Sequence, residues 1–149
     1  MKFKFPLQKV LEHRKIKENL AQKDFQEAMM LLNEENARLE QMLQQKTGAH
    51  TQAGALSSQG GAQGPALTQI HEFLKGQEIL IHKQKQKIQE IEKLVESKRE
   101  VLRQAAQEYK IMEKMRENKF EEYRHERLAQ DQKEMDEQSI LRFKAVKES

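Results

Sequence analysis

The chain contains no cysteine and no tryptophan, two prolines, and only 5% aromatic residues among its 149. Without cysteine there is no disulfide scaffold and no thiol to act as nucleophile or metal ligand. So few aromatics, set against 34% charged residues, leave too little large apolar side chain for one compact core of this length. No apolar run nears the ~20 residues needed to cross a bilayer. The opening MKFKFPLQKVLEHRK has a basic tip, but no unbroken apolar stretch and no small-residue cleavage site, so a secretory signal is not expected. Charge of one sign is also missing. Residues 1–46 carry nine basic and seven acidic side chains, and the chain from 66 onward carries 18 and 17. Such mixing suits a solvated helix surface with ion pairs rather than a face that tracks a nucleic acid.

Glycine is scarce except in one place. Residues 48–65, GAHTQAGALSSQGGAQGP, hold five of the six glycines and no charge. Gly60, Gly61, Gly64 and Pro65 are strong helix punctuation, and the segment reads as a flexible connector. A phosphate-binding loop would need a preceding strand and a closing GK[ST] element, and neither is present.

What remains is helix-forming sequence on both sides. Helix one is expected over about 5–47, starting near Pro6, whose fixed φ suits a first turn. Its apolar residues include Leu7, Val10, Leu11, Ala21, Phe25, Ala28, Leu31, Leu32, Leu39 and Met42, with weak spacing around Arg14 to Lys17. Helix two is expected over about 66–144. Leu67, Ile70, Leu74, Ile81, Ile88, Ile91, Val95, Lys98, Leu102, Ala105, Tyr109, Met112, Arg116, Lys119 and Tyr123 lie on one face at steps of three, four or seven. That is the seam of a left-handed coiled coil. Gly76 sits inside it and marks a bend or a close approach. Beyond Met115 the seam turns polar. The fold expected is all-α, a single long two-helix antiparallel coiled-coil hairpin; the periodicity also leaves open a parallel homodimer.

The residues offer no catalytic constellation. His13, His50, His71, His82 and His125 share no metal-ligand spacing on one helix face. Carboxylates such as Glu113, Glu117 and Glu121 have no pocket that would raise a pKa. Lys83, Lys85 and Lys87 point in different directions and are balanced by Glu90, Glu92 and Glu96, unlike the dense basic block of a zipper-type DNA reader. Phe3 and Phe5 with Lys2 and Lys4 make too short a patch for more than weak membrane contact. No enzyme activity, cofactor or metal is expected.

The two ends carry a more specific signal. FKFPLQKVLEHRKIKE resembles the amino-terminal signature of the FliJ family of flagellar export proteins, through Phe3, Phe5, Leu7, Val10, Leu11 and Arg14. YKIMEKMRENKFEEYRHERLAQDQKEMDEQSILRF is similar to that family's carboxy-terminal pattern, through Glu113, Lys114, Met115, Arg116, Glu117, Lys119, Glu126, Asp136, Glu137 and Arg142. Heptad packing demands neither motif. The resemblance spans nearly the whole chain, with the Gly-rich connector as its departure.

That resemblance implies a hairpin like the central stalk of rotary ATPases. Its two chain ends would engage the hexameric export ATPase FliI near its pore. Contact with the export gate protein FlhA and escort of export chaperones are implied too. The partner-facing residues carried over are Phe3, Phe5, Leu7, Val10, Leu11 and Arg14 from the first helix. From the second they are Met115, Arg116, Lys119, Glu122, Tyr123, Glu126, Asp136, Glu137 and Arg142. The implied setting is cytoplasmic, held peripherally at the inner membrane of the flagellar base by its partners, with a monomer when free. A generic self-associating scaffold is the alternative.

Overall fold

The computed structural model describes residues 2–59 and 64–148. They form two helices, α1 (Gln8–Ser57) and α2 (Gly64–Glu148), and no strand is present among the described residues. The helices pack antiparallel as a hairpin. Contacts group into two units, Met1–Asn19 with Gln104–Ser149 and Leu20–Arg103.

Helix α1 begins three residues later than the sequence suggested. Pro6 and Leu7 form a turn instead, in which Gln8 N–H donates to the Phe5 carbonyl at 3.1 Å. At its other end α1 runs through to Ser57, where an end at 47 and a connector over 48–65 were expected. Two glycines in this stretch, Gly48 and Gly54, each cost about 1 kcal/mol relative to alanine. Good helix formers (Ala49, Gln52, Ala55 and Leu56) and the burial of Ala53 against the neighbouring helix offset that cost. The hydroxyls of Thr47 and Thr51 bond back to the carbonyls four residues earlier, so neither competes with the helix. Ser58 Oγ donates to the Ala55 carbonyl at 2.8 Å and closes the helix end. Gly60 and Gly61 lie outside the described residues. Gly64 and Pro65 open α2, where proline's missing N–H is no loss.

Helix α2 passes through Gly76 without interruption. A Cβ added at Gly76 meets nothing within 4 Å, so this glycine marks no close approach.

In the unit Leu20–Arg103, Ala28, Ile91 and Val95 form a buried cluster, flanked by Phe25, Met29 and Leu32. Burial along α2 follows the seam predicted from spacing: Leu74, Ile81, Ile88, Ile91 and Val95 are buried, and Lys98 and Leu102 half-buried. Gln77 and Gln84 fill the two remaining seam positions and are as buried as their aliphatic neighbours. Alanines 21 and 28 on α1 keep the facing backbone near.

In the unit Met1–Asn19 with Gln104–Ser149, Phe5, Leu11 and Met112 form the core, with Phe3 and Tyr109 packed on it. The weak stretch around Arg14 to Lys17 is also seam. Arg14 and Glu18 occupy half-buried inward positions. The Arg14 guanidinium donates to the Glu108 carbonyl at 3.1 Å, while Lys17 pairs with the Glu108 carboxylate at 3.4 Å. Arg14 thus buries its stem and satisfies its head at the edge, which apolar counting overlooks, while one buried carboxylate oxygen of Glu18 has no hydrogen-bond partner. After Tyr123 the seam positions are Glu126, Gln130, Lys133 and Glu137, and residues 124–148 are exposed throughout.

Candidate partner-docking site at the joined chain ends

The site is built where the first residues of the chain lie beside α2, inside the unit Met1–Asn19 with Gln104–Ser149. Phe3 meets Phe120 edge-on, with ring centroids 5.3 Å apart and planes at 77°. It meets Tyr123 at 5.6 Å, and Phe120 and Tyr123 lie 6.5 Å apart. Edge-to-face geometry sets a ring's positive rim against its neighbour's negative face, worth about 0.5–1.5 kcal/mol per pair beyond buried area. Phe120 and Tyr123 come from neighbouring turns of α2, so a helix supplies the platform and Phe3 completes it.

Arg116 fixes the same joint from the side. Its guanidinium carbon sits 5.7 Å from the Phe3 ring centroid, and its Nε donates to Gln8 Oε1 at 3.2 Å. Beneath, Phe5, Leu11 and Met112 are buried. Tyr109 packs on them with the Lys15 ammonium 4.7 Å from its ring centroid. The Tyr109 hydroxyl is held above the usual phenol range. A hydrogen bond with Glu113 is the main cause, and burial and the charges of Glu113 and Glu18 add to it, while Arg116 opposes them. This phenol stays neutral at ordinary pH and serves packing.

A groove on the outer side is lined by Phe3, Lys4, Pro6, Lys119, Glu122, Tyr123 and Glu126. Lys119 Nζ and a Glu122 oxygen lie 3.4 Å apart, both side chains more than half exposed. A pair so wet contributes little to stability. What it provides is an exposed arrangement of both signs around an aromatic floor, suited to orienting a protein partner.

The residues expected from sequence divide three ways. Phe3, Arg116, Lys119, Glu122, Tyr123 and Glu126 are brought together at the joint or around its groove. Phe5 and Leu11 face inward and form the joint's core, and Arg14 is spent on the Glu108 carbonyl. These three hold the surface in position from within. Leu7, Val10 and Met115 are each close to 40% exposed and flank it. Asp136, Glu137 and Arg142 are not brought to the joint. Asp136 is ten residues past Glu126, ~15 Å along a helix, and accepts from Gln132 Nε2 at 3.3 Å. Glu137 and Arg142 lie on the same exposed stretch. Sequence reasoning passed over Phe120, Gln8, Lys4 and Pro6. The signal for Phe120 was its i,i+3 relation to Tyr123; nothing local points to Gln8.

Fold and site together define a class: an antiparallel coiled-coil hairpin whose amino-terminal end and α2 share one mixed aromatic and charged surface around Phe3, Phe120 and Tyr123. The model of one family, Flagellar FliJ protein, matches residues 3–148. The chain belongs to that family, and membership supports a general role in flagellar protein export. No curated protein and no solved structure matches it significantly.

Proposed function

We propose that this chain is a non-enzymatic part of the flagellar export apparatus that docks the surface joining its amino-terminal end to α2 on the hexameric export ATPase FliI in the manner of a central stalk. On this reading it promotes ATP hydrolysis and links the ATPase to the export gate protein FlhA, and it escorts export chaperones. It works in the cytoplasm, held at the inner membrane of the flagellar base through those partners. No helix among the described residues is long and apolar enough to cross a membrane.

One observation carries the reading: Phe3 packs on Phe120 and Tyr123, which makes the amino-terminal end and this part of α2 a single surface with Lys119, Glu122 and Glu126 exposed around it. Mixed charges at such a rim favour fast, oriented association at modest net energy. A partner that must be re-engaged in successive states needs that balance. A strongly apolar face would hold one state too long.

The test is co-purification with the cognate ATPase plus a hydrolysis assay, using Lys119→Glu combined with Glu126→Lys. Neither side chain holds the joint, so helicity should stay intact while stimulation of hydrolysis falls about tenfold. Unchanged stimulation would overturn the reading. Arg116 is a poorer choice because it also clamps Phe3 and Gln8.

A second reading, a self-associating scaffold, has its own support in Phe73, Leu80, Leu94 and Val101. They recur at multiples of seven along α2 and are each 41–50% exposed. Sedimentation separates the two: the stalk reading expects a 17.6 kDa monomer, and the scaffold reading expects a dimer.

A further inference from the structure

Within the unit Leu20–Arg103 the seam of α2 is interrupted twice by a buried amide. Gln77 and Gln84 are seven residues apart and are 5% and 6% exposed. Each sends Nε2 to a main-chain carbonyl of α1: Gln77 to Met42 O at 3.2 Å, Gln84 to Glu35 O at 2.9 Å. Met42 and Glu35 are themselves seven apart. A buried glutamine therefore finds a carbonyl at any position displaced by one heptad, and these two bonds alone choose no register.

Glu35 does choose. Its carboxylate, on a residue only 4% exposed, accepts from Gln84 Nε2 at 2.6 Å and from Lys87 Nζ at 3.2 Å across the helix pair. Arg38 also reaches it at 3.3 Å, but lies on the same helix and travels with it. Sliding α2 by one heptad in one direction sets Ile91 and Leu94 where Gln84 and Lys87 stand. Sliding it the other way sets Gln77 and Leu80 there. Either displacement takes the lysine from a buried carboxylate, and the first takes every cross-helix donor. Elsewhere in this unit the seam gives weak discrimination: Ala21 and Ala28 replace one another when shifted by seven, as do Leu74, Ile81, Ile88, Val95 and Leu102, while Ile91 has Gln84 and Lys98 as its heptad neighbours.

We infer that Glu35, Gln84 and Lys87 are a register lock, a polar notch that holds the two helices of this unit against sliding by one heptad. Single polar residues in a coiled-coil seam specify register at some expense of stability, and replacing a buried ionic group by apolar ones often stabilises the fold while loosening its uniqueness. The lock does not rest on the ATPase-docking reading, since it lies in the other unit and its test involves no partner.

The chain has no cysteine of its own, so introduced pairs report alone. Ala28→Cys with Ile91→Cys joins two residues of one core cluster and reads the register observed. Ala28→Cys with Lys98→Cys and Ala21→Cys with Ile91→Cys read the two heptad-displaced registers. Each is ~10 Å out of step along the helix axis in the observed register, beyond disulfide reach. With the lock intact, mild oxidation should link only the first pair. In a Glu35→Leu, Gln84→Leu background the displaced pairs should link about tenfold more, with helicity kept and the melting midpoint unchanged or higher. Lys87→Met alone is the gentler variant if the double substitution fails to fold, and a smaller rise is expected there. Displaced pairs that stay unlinked in either folded variant, or that already link with the lock intact, would overturn the proposal.

Discussion

The two units put paired helices to different uses. Leu20–Arg103 is an aliphatic and alanine seam with a charge set inside it, and its polar groups are satisfied across the helices by Gln77, Gln84 and Lys87. Met1–Asn19 with Gln104–Ser149 closes on Phe3, Phe5, Leu11 and Met112; it too holds charge at its seam, on Arg14 and Glu18, but sets Lys119, Glu122 and Glu126 outward. Similar composition thus yields a region specified from within and a region that presents chemistry outward.

The sharpest way to break the comparison is an aspartate in each kind of place. Ile91→Asp buries an unpaired carboxylate in the alanine and aliphatic cluster, and should cost at least 3–4 kcal/mol, roughly. Chemical denaturation should then show the midpoint collapse. Leu128→Asp, on a residue 58% exposed, should stay within about 0.5 kcal/mol in the same experiment. Equal effects would mean the exposed stretch of α2 packs on something in the free chain.

Next in size is Phe3→Ala. Losing a half-buried ring and its contacts with Phe120 and Tyr123 should cost about 1–2 kcal/mol. Near-ultraviolet dichroism of Tyr123 should weaken while far-ultraviolet helicity holds.

A smaller effect comes from acid. The Glu35 carboxyl is held below its usual 4.5, first by the hydrogen bond from Gln84 and then by Lys87 and Arg38, with burial opposing them. A lowered folded-state value means its stabilisation is complete above about 4.5 and is lost as pH falls through the folded value. Thermal melts from pH 7 to 3 should therefore show the native chain losing more stability below pH 4.5 than Glu35→Gln loses. Parallel curves would remove Glu35 from the balance. Smallest of all, Gly76→Ala should raise stability by about 0.5–1 kcal/mol, because its Cβ enters open space and the unfolded chain loses freedom.

Much of this was legible in the sequence. The 3–4 alternation through Ile88, Ile91, Val95, Ala105 and Met112 gave the buried face of α2 directly. Polar seam residues were the blind spot. Gln77, Gln84, Glu35 and Arg14 look like surface until the partner helix supplies their acceptors and donors. The end of α1 was misjudged for a related reason: Gly48 and Gly54 outweighed the alanines between and after them, although Ala53 had a surface to pack on. Among the motif residues near the start of the chain, the sequence did not tell which face inward. Phe3 and Phe5 alternate in sequence, yet only the position of Met112 decides that Phe5 is core and Phe3 is joint.

The most direct measurement is a label-to-label distance between Lys4→Cys and Glu122→Cys, recorded on the free chain and again with the export ATPase bound. A joint between the amino-terminal end and α2 predicts one narrow, short distribution in both samples, set by the ~10 Å spacing of packed helices and the label arms. A broad or long distribution in both would contradict it.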